Sequence, residues 1–318
     1  MKYRKLGKTG LDVPVLSFGA SSLGGVFRST DDGESVRTVH TAIDAGMNYI
    51  DVSPYYGLTR AETVLGQALR SVPRDRYLLS SKAGRYGERE FDFSSERILR
   101  SVDESLERLS TDYLDMLFLH DVEFGDPQQI VEESVPTLEL LKQQGKIRFG
   151  GISGLPLSMF ELLLPQMEVD IILSYCHYAL NDTSLLSLLP LLESQHIGLV
   201  SASPLSMGLL STRPVADWHP AGDELKRVCH EAALYCQQQG VEIAQLAMQF
   251  AVQQESIPTT LVSTANPDNV LRNVRWIEEP IQTEVLEEVL RILKPVHNQT
   301  WASGLELYNR PVTNGGEA

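Results

Sequence analysis

Eight short apolar or β-branched runs, each parted from the next by a stretch with helical spacing, constrain this chain more than any other feature. They are Val15 to Gly19, Tyr49 to Ser53, Tyr77 to Lys82, Tyr113 to His120, Ile147 to Ser153, Asp170 to Cys176, Gly198 to Pro204 and Thr259 to Ser263. Between them Val36, Val39 and Ile43 precede Gly46, and Ile98, Val102, Leu106 and Leu109 mark a second helix face. Asp31 or Asp32 and Ser94 or Ser95 are the expected N-caps. Strands that are almost continuously apolar are covered on both faces, which implies parallel pairing beneath helices, and eight βα units can close on themselves. An open doubly wound sheet would carry G-x-G-x-x-G after its first strand, and Gly19-Ala20-Ser21-Ser22-Leu23-Gly24-Gly25 does not. The expected fold is an α/β (β/α)8 TIM barrel, a single domain over residues 1–318. An N-terminal hairpin within 1–14 caps the barrel floor. A C-terminal extension of 280–318 holds a helix from Pro280 to Lys294, a segment with Trp301, and a frayed polar end from Asn314 to Ala318.

The chain has 318 residues, 42% of them apolar, enough for a sizeable core. Its 42 acidic against 27 basic side chains leave a formal charge of -15, so a phosphate backbone or anionic membrane would repel it, and nucleic acid is set aside as a partner. Cys176, Cys229 and Cys236 are odd in number and lack metal-ligand spacing, which fits a reducing compartment. Cys229 and Cys236, seven apart, belong on one buried helix face. The N-terminus has no apolar signal region and no run is long enough to span a bilayer. A cytoplasmic protein, monomer or homodimer, without membrane contact is expected.

In a barrel of this kind the reactive groups lie at the carboxyl ends of strands and on the loops that follow. Those positions hold Asp51 after the second strand with Tyr56 just beyond, Lys82 on the third and His120 on the fourth. A phenol titrates near 10, so proton exchange near neutrality calls for a cation beside it. Lys82 is the expected cation, Asp51 its counter-charge, and His120 the hydrogen-bond partner of the substrate oxygen. Lowering the phenol by about two to three pKa units would take roughly 3–4 kcal/mol. The seven histidines are scattered, and no metal site is expected.

Five phrases carry a resemblance: Asp51-Val52-Ser53-Pro54-Tyr55-Tyr56, Ser81-Lys82, Leu119-His120-Asp121, Gly151-Ile152-Ser153-Gly154 and Ser201-Ala202-Ser203-Pro204-Leu205. Together they resemble the aldo-keto reductase superfamily over nearly the whole chain. Longer phrases, among them Gly84-Arg85-Tyr86, Leu173 to Tyr178 and Trp218-His219-Pro220, are most like its sugar-oxidising members. The resemblance implies that Tyr56 gives or takes the proton, that Lys82 and Asp51 tune it, and that His120 orients the substrate. It also implies a nicotinamide dinucleotide across the carboxyl face, with Ser203, Leu205, Ser206, Gly208 and Leu210 around the pyrophosphate, consistent with backbone donors near phosphates.

Against the wider family, Ser153-Gly154 replaces Ser-Asn, Ser174 replaces Gln, and Ala202 replaces a stacking aromatic. Ser153 and Ser174 remain the expected carboxamide partners. Ser263 and Asn269 stand where NADP-dependent relatives place Lys and Arg, with Thr264 beside them and Asn273 toward the adenine. Losing two charge-assisted bonds of about 1.5–3 kcal/mol each favours NAD, and Arg272 is the residue that could restore NADP. The implied reaction is oxidation of a cyclic aldose at C1 to the aldonolactone, with Tyr55, Asp121, Glu123, His177 and Trp218 recognising the sugar, assisted by Ser21, Tyr178 and Asn181. Other aldoses such as L-fucose or D-arabinose, a general NADP-dependent aldehyde reductase, a non-catalytic cofactor-binding subunit, and a barrel aldolase or isomerase with a Schiff-base Lys82 stand as alternatives.

Overall fold

All eight predicted runs form barrel strands, and a two-stranded hairpin precedes them. The computed structural model describes residues 1–26 and 29–309; the polar end expected from Asn314 to Ala318 lies outside them. In chain order β1 is Tyr3–Lys5, β2 Asp12–Pro14, β3 Leu16–Gly19, β4 Tyr49–Asp51, β5 Leu78–Ala83, β6 Leu114–Leu119, β7 Ile147–Gly154, β8 Ile171–Tyr175, β9 Gly198–Ala202 and β10 Thr259–Ser263. Strands β3 to β10 pair in parallel with their neighbours in sequence, and β10 returns to β3 with Thr260 opposite Leu16 and Ser263 opposite Gly19, closing the barrel. Helices cover the outside, as the buried runs require.

Side-chain alternation divides the core in two. Tyr49, Met116, Phe118, Ile171, Leu173, Val200 and Leu261 point inward and pack with Leu6, Leu11 and Val13 of the hairpin, which plugs the floor as expected. Leu16, Ile50, Leu79, Leu117, Ile152, Ile172 and Leu199 point outward beneath the helices. Gly7 lies at φ 51°, and a Cβ there would sit 2.5 Å from the Gly198 nitrogen, so the plug seats only with glycine at that turn.

Local signals act where predicted. Asp31 Oδ1 accepts from the Glu34 amide at 2.7 Å, capping Asp32–Asp44, and Ser94 Oγ accepts from the Arg97 amide at 3.3 Å, capping Ser95–Leu109. Between β9 and β10 the chain makes two helices, Asp223–Gln238 and Ile243–Gln253. The first carries Cys229 and Cys236 on its buried face and packs on Thr283–Leu293, the helix expected within Pro280 to Lys294, as a separate apolar cluster. Among the described residues no helix is long and apolar enough to cross a membrane.

Candidate active site

The interior-facing positions of β4, β5 and β6 are Asp51, Lys82 and, one step beyond the strand, His120. This is why residues far apart in sequence meet at one mouth. Lys82 is buried; its Nζ is paired with Asp51 Oδ2 and donates to the Val52 carbonyl at 3.1 Å. Ser80 Oγ donates to Asp51 Oδ1 at 2.7 Å, so both carboxylate oxygens are held. Lys82 Nζ lies over the Tyr56 ring, 4.8 Å from its centroid.

Tyr56 corrects one expectation. Its phenol sits above the ordinary 10, because burial raises it more than Lys82 lowers it, and Asp51 adds to the rise. The lysine charge is already matched by its aspartate, so the phenol feels a near-neutral pair instead of an isolated cation. Burial alone would lower Lys82, yet Asp51 and Tyr56 hold it above its usual value. His120 is pushed well below 6.5 by burial, then by Lys82 and Arg85, and is a neutral imidazole. Ser53 Oγ takes the Tyr55 amide hydrogen at 3.1 Å and lies 3.0 Å from His120 Nδ1. A serine proton given to Nδ1 would place the ring proton on Nε2, facing the mouth.

Arg85, in the loop after β5, was not singled out by residue type or spacing. Its Nη1 meets Asp121 Oδ2 at 2.5 Å, and its guanidinium lies 4.0 Å from the Tyr55 ring centroid. Asp121 sits at φ 53°, unusual for a residue with a side chain, and its amide donates to Ser153 Oγ at 3.4 Å. Asp121 Oδ2 is 3.8 Å from His120 Nε2. Tyr55, Asp121 and Arg85 thus form the wall beside His120, with the Tyr55 and His120 rings 5.9 Å apart.

A sequence model of the aldo/keto reductase family matches residues 15–294. The chain belongs to this family. Aldo-keto reductases are oxidoreductases that use nicotinamide cofactors. The chain is 47% identical over 314 residues to the L-galactose dehydrogenase of Arabidopsis thaliana, covering 96% of itself and 98% of that protein. It is 37% identical over 305 residues to the D-arabinose 1-dehydrogenase of Saccharomyces cerevisiae, covering 87% of itself and 90% of that enzyme. Among solved structures, an aldo-keto reductase from Bacillus halodurans in its holo form superposes with a TM-score of 0.76 at 27% identity, over 98% of this chain and 100% of the other.

Most of the other residues expected at the sugar are held by partners within the protein. Glu123 is fully buried: its Oε1 accepts from the Leu155 amide at 3.1 Å and from Ser303 Oγ at 2.9 Å, and its carbonyl accepts from the Leu305 amide at 2.8 Å. It fastens the C-terminal segment, and burial followed by the nearby Asp121 pushes it up to about 8. Tyr178 stacks on Phe250, centroids 5.3 Å apart, in the helix-side core instead of covering a sugar. His177 is buried, with Nδ1 3.2 Å from Asp182 Oδ2 and 3.0 Å from Ser184 Oγ. Asn181 Oδ1 accepts from Ser206 Oγ at 2.7 Å. Trp218 is 54% exposed and stacks on His219, whose Nε2 is 3.1 Å from the Ser206 carbonyl.

The positions expected at the dinucleotide divide similarly. Ser153 points into the barrel and its Oγ also donates to the Leu119 carbonyl at 3.3 Å. Ser174 alternates with the inward Leu173, which turns it toward the helices, where its Oγ is buried without a partner among the described residues. In the loop after β9, Ser203, Ser206, Met207 and Gly208 all have positive φ, from 47° to 101°. The amides of Ser206, Gly208 and Leu210 donate to Ser203, Leu205 and Leu205 carbonyls, so these three curl the loop and are not free donors. Ser263 Oγ accepts from Ser21 Oγ at 3.0 Å and from the Ser22 amide at 2.9 Å. Asn269 Nδ2 donates to Thr264 Oγ1 at 3.2 Å, and Asn273 is buried on the same helix. Among the described residues no three His, Cys, Asp or Glu side chains gather as a metal site.

Proposed function

We propose that this enzyme oxidises a cyclic aldose at C1 to the aldonolactone with NAD, L-galactose being the first candidate substrate. The observation that carries the reading is the meeting of Tyr56, Lys82, Asp51 and His120 at one strand-end mouth. The two sugars in the relatives' names, L-galactose and D-arabinose, share their configuration at C2, C3 and C4, which supports a pocket that reads that part of the ring.

When bound, the oxidised nicotinamide supplies the carbon that accepts hydride. The chain's own residues handle the proton. Nε2–H of neutral His120 donates to the anomeric oxygen and fixes it next to Tyr56, whose phenolate form takes the hydroxyl proton. Lys82 stabilises that phenolate, and Asp51, gripped by Ser80, keeps the ammonium in place. The strained run from Ser203 to Gly208 supports a ligand at this loop, since three non-glycine residues at positive φ cost of order 1–3 kcal/mol each and persist where function needs them.

Ser53 acts as a positioning residue for His120. Ser53→Ala is expected to lower kcat about tenfold, because loss of one buried hydrogen bond of ~1 kcal/mol frees the ring to hold its proton on either nitrogen. Nitrogen-15 shifts of His120 check this, and an unaltered Nε2–H tautomer in the variant would remove the role.

The choice of NAD rests on the missing cations. Arg272 Nη2 donates to Asn269 Oδ1 at 2.6 Å, its Nη1 lies 3.9 Å from Glu242, and its guanidinium lies 5.0 Å from the Trp276 ring centroid. With Arg272 Nη2 on Asn269 and Ser263 bound to the loop after β3, Arg272 is the one cation on this segment within reach of a 2'-phosphate and it is already shared with Asn269 among the described residues. Initial rates with L-galactose, L-fucose and D-arabinose, followed by the absorbance of reduced nicotinamide, are expected to favour NAD over NADP by roughly tenfold or more in kcat/KM. Equal rates with the two dinucleotides would refute the cofactor assignment, and absence of turnover on every aldose would refute the substrate class.

A further inference from the structure

The Arg85–Asp121 pair has a feature that a purely structural ion pair does not need. Arg85 uses Nη1 on Asp121 Oδ2 and Nε on the Gly87 carbonyl at 3.4 Å, while Nη2 makes no hydrogen bond among the described residues. Asp121 uses Oδ2 for Arg85, and its Oδ1 likewise makes none. A donor and an acceptor therefore stand open side by side. Both side chains are largely withdrawn from solvent, 16% and 4% exposed, yet neither open atom is sealed inside the protein, so both are accessible to a ligand.

Their placement is fixed from every side. The guanidinium lies 4.0 Å from the Tyr55 centroid, 5.3 Å from that of Phe91 and 5.7 Å from that of Phe124, and the last two rings stack on each other at 4.4 Å. Gly84, at φ 100°, turns the chain so that Arg85 leaves the end of β5 toward β6, and Phe93 fills the space a side chain at Gly84 would need. Asp121 holds its left-handed backbone next to His120, a strained position of the kind retained at functional sites.

We propose that Arg85 and Asp121 form the specificity pair for the hydroxyl on C2, the carbon next to the one oxidised. Asp121 Oδ1 accepts the C2 hydroxyl hydrogen and Arg85 Nη2 donates to its oxygen. The 3.8 Å between His120 Nε2 and Asp121 Oδ2 sets the spacing: an oxygen on His120 and one on the carboxylate must be neighbours on the ring. The pair would reject simple aldehydes and deoxy sugars, because a ligand without that hydroxyl forfeits both hydrogen bonds the site is built to make. This inference rests on the proposed aldose oxidation and names the part of the ring that is read.

The test compares L-galactose with 2-deoxy-L-galactose in the wild type, Arg85→Leu, Arg85→Lys and Asp121→Asn, with NAD present. The wild type is expected to prefer the parent sugar by about 100-fold or more in kcat/KM, and Arg85→Leu and Asp121→Asn to reduce that ratio to within about threefold, Arg85→Lys lying between. Thermal melting and quenching of tryptophan fluorescence by NAD identify variants that fold; if Arg85→Leu does not, Asp121→Asn decides. An active wild type whose preference is the same in the folded variants overturns this inference alone. A wild type inactive on every aldose overturns the proposed function and this inference with it.

Discussion

Tyr56→Phe is expected to lower kcat for aldose oxidation by about 10²–10⁴-fold, the range for removing a positioned acid–base group, with little change in dinucleotide affinity. The substitution deletes one oxygen from a partly buried ring and leaves the Lys82–Asp51 pair intact. A pH profile adds an independent check. The phenol lies above 10, so its anion is the minor form throughout the neutral range. Where the anion is the reactive form, kcat/KM should rise with pH by up to about tenfold per unit between roughly 7 and 9. His120 adds no limb there, since burial and the neighbouring Lys82 and Arg85 keep it neutral well below 6.5. The Phe variant should lose the slope as well as the rate; a variant keeping both would take Tyr56 out of the proton transfer.

The largest expected loss of stability lies at the opposite rim. Asp115 is buried at the start of β6, with Oδ2 accepting from Arg74 Nη2 at 2.6 Å and the Leu79 amide at 2.9 Å, and Oδ1 accepting from Arg148 Nη1 at 2.7 Å. One carboxylate thus ties β5, β6 and β7 together. Asp115→Ala would leave the Leu79 amide and the partly buried Arg74 facing a hole, and breaking a buried pair from one side costs about 3–5 kcal/mol. Arg148, 47% exposed on its side chain, contributes little because solvent screens it. A loss of that size is a large fraction of the ~5–15 kcal/mol that holds a typical domain folded. Equilibrium urea unfolding measures it, with Asp115→Asn expected to fall between the two; a shift under about 1 kcal/mol would show that the rim does not depend on this carboxylate.

Much of the barrel was legible because its signals are local. Short, nearly continuous apolar or β-branched runs marked each strand, and Asp31 and Ser94 announced their helices within one turn. The four residues at the mouth were legible for a second reason: a parallel barrel places strand ends together whatever the loops do. What escaped was set by pairs distant along the chain. Nothing near Ser53 announces a bond to His120, and nothing near Arg85 announces Asp121, since each pair forms only once neighbouring strands align. Glu123 looked like a sugar ligand because it follows His120-Asp121, but its partners Leu155 and Ser303 come from β7's loop and the C-terminal segment. The raised Tyr56 phenol escaped for an energetic reason: how deeply a ring is buried cannot be read from the residue beside it.

The ring of strands is completed by the pairing of β3 with β10. During synthesis, a ribosome that has released only the portion before Thr259 presents two unpaired strand borders with no mate, the kind of edge that recruits other chains. Closure therefore waits for nearly the whole polypeptide. Such late, long-distance zippering makes for slow folding and leaves those borders open to other chains meanwhile.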